Sequence, residues 1–484
     1  MIASHSSQLR QHAVAIWQAA VDAVRPRDLI PKFLDAPSIP IREAANRARR
    51  ILVVGAGKAG AAMSEALESA LPDCIARMEG IVNVPAECVR PLRSIRLHAA
   101  RPAGTNQPTA EGIIGAKGIL DLFETAGPDD LGVCLLSGGG SALLPAPVEA
   151  VSLADKQKVT QLLHECGATI NEMNAVRKHL SRIKGGRLAQ AFTGRDLYSL
   201  IISDVIGDPL DVIASGPTAA DLSTYNDALA VLEKYALKPC IPASVLDHLN
   251  KGIQGLVLET PKILSNRIHN FVIGNNSLAI DAAKAKAEEL GYFVLNAGSS
   301  IQGETQTVAK AMANIVGGML VSGQPAPLLC LLSGGETTVT LGKNLRATGV
   351  SHESGSLGAS ESDRLSAGES GRVSAGSEAL GGRNQEFVLA SAVKLGREGL
   401  SNIVVLSGGT DGEDGPTDAA GAIADAETLR KADQLGLSSG DFLARHDAYH
   451  FFQATGDLLR TGLTETNVMD VQVILIGASS KPYE

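Results

Sequence analysis

No stretch of about 18 apolar residues occurs in this 484-residue chain, so its sequence holds no transmembrane helix. Nor is there a long Lys/Arg block, and the formal net charge is −9. Both facts argue against nucleic acid and anionic membrane surfaces as partners. The six cysteines, Cys74, Cys88, Cys134, Cys166, Cys240 and Cys330, include no C-x-x-C pair. Cys134 and Cys330 sit inside strand-like runs, as reduced core cysteines do. The amphipathic segment Met1 to Val24 lacks an apolar h-region and a small-residue cleavage site, so it does not read as a secretory signal. A cytoplasmic, reduced protein is expected. Three catalytic signatures are missing as well, H-E-x-x-H, Walker A and the protein-kinase set, and no strand runs into a G-x-S-x-G elbow. Any phosphate chemistry here needs a different cradle.

What the chain does have is one corner written three times. VCLLSGGGS (Val133 to Ser141), LLCLLSGGET (Leu328 to Thr337) and IVVLSGGTDG (Ile403 to Gly412) each run an apolar strand into Ser-Gly-Gly. Such runs closed by glycine read as buried parallel strands that stop abruptly. Outward-pointing N–H groups at a glycine turn, with a helix behind them, favour an anion. Ser141, Glu336 and Asp411 stand just behind the glycines, and the set suggests a cleft built around phosphate.

Strands alternate with helix-length segments along most of the chain. RRILVVGAGKAG, GIVNVP, VCLLSGGGS and LYSLIISDVIGD read as strands of a first half, and NFVIGNNSLAIDAAKAKAEELGYFVLNAG restarts the pattern. The expected fold is α/β: two doubly wound, mainly parallel-sheet domains over 1–262 and 263–484, with the cleft between them. One segment departs. Residues 343–380 are rich in Ser, Gly and Glu and nearly repeat LSAGES as VSAGSE. Such a sequence cannot bury enough apolar area to offset its ordering entropy and reads as a flexible surface insertion. Replacing Leu345 to Ala379 by a short Gly/Ser linker should leave the melting temperature nearly unchanged. A large loss of stability would show that the segment is folded.

Several groups could do chemistry. VVGAGKAG fits G-x-G-x-x-G through Gly55, Gly57 and Gly60, but GIVNVP ends Asn83-Val84-Pro85 without the acid that a dinucleotide ribose requires. Lys58, at the strand end, is placed to reach a phosphate or carboxylate, or else is a solvated lysine. In NAVRKHLSRIKGGR, helical spacing puts Asn174, Arg177, Ser181 and Lys184 on one face, and Gly185-Gly186 marks a helix end or a close backbone approach. Asp204 and Asp208 follow the strand LYSLII. Asp411, Glu413, Asp414 and Asp418 share a glycine-rich loop, where some acids serve turns and some can hold Mg²⁺. GGRNQE offers Arg383, whose guanidinium can grip an oxyanion bidentately, and Asn384. His446 and His450 are spaced for one helical face but have no third metal ligand.

In order, VGAGKA, LLSGGGSALLPAP, NAVRKHLSRIKGGRLA, SDVIGDPLDVIASGPT, SGGETTVT, GGRNQE, SGGTDGEDGPTDAAGA and TNVMD resemble the two-domain, ATP-dependent glycerate 2-kinases of the MOFRL type, from about Lys58 to Asp470. The resemblance implies transfer of the γ-phosphoryl group of ATP to the 2-hydroxyl of D-glycerate with Mg²⁺, and Lys58 and Arg383 match the family's catalytic lysine and arginine. With Arg177 they would bind the acceptor and clamp the transferring group. Asp204 would orient or deprotonate the hydroxyl. Gly57, Ser137 to Ser141 (with Gly138, Gly139 and Gly140), Lys184, Gly334, Gly335, Glu336, Asn384, Gly408 and Gly409 would bind nucleotide phosphate, and Asp208 or Asp411 the metal. Leu463, Glu465 and Arg445-His446-Asp447 depart from the family's usual residues. An NAD(P)H-dependent hydroxypyruvate reductase is the alternative, since that name has been used for the same family. It gives the three Ser-Gly-Gly corners no purpose. A non-catalytic sugar-phosphate sensor is a second rival, and the many strand-end acids weaken it. The sequence leaves the oligomeric state, homodimer included, undecided.

Overall fold

The structure, a computed structural model, describes residues 2–102, 107–320, 328–340 and 379–477. The insertion expected at 343–380 lies outside the described residues except for its last two positions. Two sheets organise the rest. The first contains β1 (Ile51–Ala56), β2 (Met78–Pro85), β3 (Ile95–Arg101), β4 (Leu131–Leu136), β5 (Asp196–Ile202) and β6 (Ile268–Gly274), in the order β3-β2-β1-β4-β5-β6, and every pairing is parallel. The strands read as they do because both faces are covered: ILVVGA and LGVCLL are buried at every position. Strand order reverses between β1 and β4, where open α/β sheets form their ligand crevice.

The second sheet contains β7 (Phe293–Asn296), β8 (Ile301–Glu304), β9 (Leu329–Thr338), β10 (Ile403–Gly409), β11 (Gly421–Ala424), β12 (Leu458–Leu459) and β13 (Asp470–Ile476). It is mixed where mainly parallel pairing was expected. β7 and β8 pair with β9 in parallel, but β13 inserts antiparallel between β9 and β10, and β11 and β12 follow antiparallel. The cause is connectivity. β10 returns to β11 through the glycine-rich loop 410–420 instead of a crossover helix, and a hairpin-like return forces antiparallel pairing.

The division expected at residue 262 does not coincide with the division between sheets, because β6 extends the first sheet to Gly274. The first helix, Ile2–Ala23, packs against the second sheet and helix Asn276–Glu289, not against its own half of the sequence. Trp17, 1% exposed, donates its indole N–H to the Gly408 carbonyl at 3.1 Å. One apolar core therefore runs from Val53, Leu135 and Leu200 of the first sheet to Leu332, Leu406 and Val473 of the second. A separate helical cluster built on Val159, Val176, Leu232 and Leu249 sits beside the first sheet. No helix among the described residues is long and apolar enough to cross a membrane.

Candidate active site

The turns after β1 and β4 are laced into one unit. Ser137 N–H donates to the Ala56 carbonyl at 3.1 Å, Lys58 N–H to the Gly138 carbonyl at 2.9 Å, and Ala59 N–H to the Ser137 hydroxyl at 3.0 Å. Gly57 has φ +148°, and a Cβ there would stand 2.0 Å from Ser137 Oγ, so only glycine allows this approach. Ser137 is thus a buried brace between the turns. Gly140 N–H returns to the Ser137 carbonyl at 3.1 Å, whereas the N–H groups of Gly138 and Gly139 have no partner among the described residues. These two are the donors that the corner presents.

A cleft of about 750 Å³ opens over this unit, with Lys58, Gly139, Asp204, Glu336, Arg383 and Asp411 among its walls. Lys58 already spans it, donating to Asp411 Oδ2 at 2.7 Å and Glu413 Oε2 at 2.8 Å. Burial works against its charge, but the two carboxylates prevail and hold the ammonium above the ordinary lysine range. Arg383, the first residue of helix Arg383–Gly399, grips Asp470 through Nε and Nη2 at 2.6 and 3.0 Å and Glu336 through Nη1 at 2.6 Å. These carboxylates likewise outweigh burial and raise its pKa. Asp204 faces the same space, with Asn467 Nδ2 at 3.3 Å from its Oδ2. Desolvation, reinforced by Glu336, pushes Asp204 up to about 6. A Cβ on Gly138 would meet both Asn467 and Asp204, at 2.2 and 2.4 Å, so that glycine lets the two halves of the chain touch.

Other expected residues fall elsewhere. Asn384 is buried; its side-chain amide donates to Asp414 and Asp470 and its carbonyl accepts from Ser407, so it positions Arg383's neighbours and has no free group for phosphate. Asp414 accepts the N–H groups of Asn384 and Gln385 and caps that helix. Gly334 and Gly335 do not form a corner. β9 runs straight through them to Thr338, paired with Val471 and Asp470. Gly408 and Gly409 end β10, and Gly408 backs onto Trp17. Asp208 is held by Asn275 Nδ2 at 2.6 Å and is not a wall of the cleft. His446 and His450 pair with different acids, Glu386 and Asp447.

The cationic helix is shorter than its spacing predicts. Helix Ile170–His179 stops, the chain crosses Pro147 at Ser181, and Lys184 returns from a turn, not along the same helical face. Arg177 and Lys184 meet all the same: both donate to Ser141 Oγ, Lys184 at 2.8 Å. Gly186 shows why the glycine pair is there, since a Cβ would lie 2.9 Å from the Ala219 carbonyl. Burial depresses Arg177, and drives Lys184 well below the usual range with help from Arg177 and Lys156. The Lys156 ammonium, on a residue 6% exposed, has no hydrogen-bond partner among the described residues, and burial brings it to about 7.

Sequence reading missed Asp470, Lys156 and Arg101. Asp470 starts an antiparallel strand, so the rule that sites gather at the C-terminal ends of parallel strands gives no signal for it. Lys156 and Arg101 stand in ordinary-looking helix and strand. Arg101 signals itself only in three dimensions, as a buried guanidinium beside the cleft.

Comparison with known proteins adds the following. Residues 12–250 match a domain of unknown function (DUF4147), and residues 363–470 match the MOFRL family. The chain is 39% identical to a putative hydroxypyruvate reductase of Agrobacterium vitis, over 97% of this chain and 94% of that one. It is 35% identical to a glycerate 2-kinase of Pyrococcus horikoshii, over 88% and 87%. The crystal structure of a glycerate kinase from Thermotoga maritima superimposes with a TM-score of 0.77 at 33% identity, covering 97% of this chain and all of that one (100%).

Proposed function

The chain belongs to the glycerate kinase family, and we propose that its cleft transfers the γ-phosphoryl group of ATP to the 2-hydroxyl of D-glycerate, giving 2-phospho-D-glycerate and ADP. The observation that carries this reading is the convergence of Lys58 and Arg383, one from each sheet, on a cleft that also holds Asp204. Phosphoryl transfer demands positioning and neutralisation of charge on the equatorial oxygens, which two opposed cations supply. In the proposed step Asp204 takes the hydroxyl proton, the freed oxygen bonds to the γ-phosphorus, and the bond from that phosphorus to the β–γ bridging oxygen breaks. Lys58 and Arg383 hold the transferring group. Gly138 and Gly139 N–H groups, with Arg177 and Lys184 behind Ser141, hold the remaining phosphates. The Pyrococcus relative's name supports the 2-position.

Among the described residues no three His, Cys, Asp or Glu side chains are grouped to bind a metal ion. Mg²⁺ on ATP needs fewer, since it keeps waters and phosphate oxygens as ligands. Asp411 and Glu413, which converge on Lys58, fit that requirement; Asp208 does not. Bound there, Mg²⁺ would neutralise charge on the phosphates. The reductase reading fits the β1 turn poorly. Asn83, near the end of β2, is buried, donates to the Gly112 and Leu143 carbonyls and offers a ribose no carboxylate.

The test is purified protein with D-glycerate, ATP and Mg²⁺. ADP should form only when acceptor and metal are both present, and NMR should resolve the product as the 2-phosphate. Oxidation of NADH by hydroxypyruvate without ATP turnover would overturn the kinase reading. Formation of the 3-phosphate would overturn the regiochemistry alone.

A further inference from the structure

The cleft has four cationic side chains in its walls, Lys58, Arg90, Arg101 and Arg383. Three are committed: Lys58 to Asp411 and Glu413, Arg90 to Glu65 and Glu465, Arg383 to Glu336 and Asp470. Arg101 is different. It closes β3, is 6% exposed, and makes no ion pair among the described residues. Its buried Nε has no hydrogen-bond partner among the described residues. Glu87 and Glu413 act on it only at longer range, and burial lowers its pKa without bringing a guanidinium anywhere near neutrality. A buried, charged group with unmade hydrogen bonds is costly, and a fork of donors aimed at a cleft is complementary to a planar or tetrahedral oxyanion.

Position decides which oxyanion. A Cβ on Gly139 would stand 4.0 Å from Arg101 Nη2 and 3.5 Å from Lys58 Cγ, and a Cβ on the preceding Gly138 would stand 2.4 Å from Asp204 Oδ2. Arg101 and Asp204 thus flank successive residues of one turn. In a 2-hydroxy acid the reacting hydroxyl and the carboxylate sit on adjacent carbons. A base for the one and a grip for the other must therefore be neighbours. A polyphosphate, with several charges, is better matched by Arg177 and Lys184, which share Ser141, than by a single guanidinium.

Resting on the kinase reading above, we propose that Arg101 binds the carboxylate of the 2-hydroxy acid acceptor and so selects acids over uncharged polyols. Arg101→Met should raise KM for D-glycerate on the order of 10- to 100-fold, the loss of one charged hydrogen-bonding partner, with KM for ATP unchanged. The preference for D-glycerate over glycerol should collapse by the same factor. Arg101→Lys, which keeps the charge but not the fork, should fall between. Neither variant should melt below the wild type, because methionine fills the space of the buried stem and removes a charge that makes no ion pair among the described residues; Arg101→Lys also guards against a misfolded Met variant. A rise in KM for ATP with that for glycerate unchanged would overturn the assignment in favour of phosphate binding. Unchanged constants for both substrates, or loss of activity that tracks a lowered Tm, would overturn it outright. Failure of the wild type to phosphorylate D-glycerate would instead sink the kinase reading itself, which keeps the two failures apart.

Discussion

Lys58→Met is expected to lower kcat on the order of 10²- to 10³-fold, about 2.7–4 kcal/mol, the usual cost of losing one electrostatic contact with developing charge. Methionine keeps most of the apolar stem, so the change isolates the ammonium. Were Lys58 only to hold the acceptor in ground and transition state alike, KM for D-glycerate would rise while kcat stayed put. Near-wild-type values of both would return Lys58 to the role of a surface lysine. The ion pairs add an expectation about stability. Lys58 is 22% exposed at its side chain and is the cation that Asp411 and Glu413 share. Its loss leaves two acids facing each other, so stability should drop on the order of 1 kcal/mol, intermediate between exposed and buried pairs. The drop should shrink when Mg²⁺ is added, which a thermal melt with and without metal would show. Arg383→Met supplies the comparison. If the two cations form one clamp, the double variant loses much less than the two single losses combined.

How much of this was legible in the sequence differs between the two sheets, and for a physical reason. β1, β4 and β5 are apolar at nearly every position because helices cover both faces, and parallel crossovers leave helix-length gaps between them. Periodicity carries that information. Strand direction in the second sheet is not in any local pattern. β13 is an apolar run like the others, and only its insertion between β9 and β10 makes it antiparallel. The same insertion brings Asp470, the first residue of β13, to Arg383. That Lys58 and Asp411 line the cleft was legible because each follows a strand at a glycine turn, and Arg383 because it opens a helix behind Gly381-Gly382. Arg177 and Lys184 were placed together on the wrong grounds: a continuous helix was expected, and a broken chain brings them to Ser141 instead. Gly334 and Gly335 misled because glycine inside a strand and glycine ending one look alike until the partner, here Ile301 of β8, is known.

Asp204→Asn should cost on the order of 10²- to 10⁴-fold in kcat, the range for a general base, and it should also change the shape of the pH profile. Burial first, and then Glu336, raise Asp204 to about 6, with Lys58 pulling the other way and Asp411 adding to the rise. As a base it works ionised, so kcat/KM should fall as pH drops through about 6, in a limb one proton steep. Mg²⁺ beside Asp411 would favour the carboxylate and move that limb lower, so titrating the metal should shift it toward acid. The Asn variant should lack the limb altogether. Stability provides an independent reading with a definite sign. A folded-state pKa above the unfolded value of about 4 means that folding favours the protonated form. The benefit is present in full below pH 4 and is lost as pH rises through 6, where the ionised carboxylate must stay desolvated. Asparagine resembles the protonated acid, so Asp204→Asn should raise Tm at pH 7.5 and leave it nearly unchanged at pH 4. A surviving acid limb in the variant would show that another group titrates there. A lowered Tm at pH 7.5 would show that ionised Asp204 supports the fold instead of straining it for the chemistry.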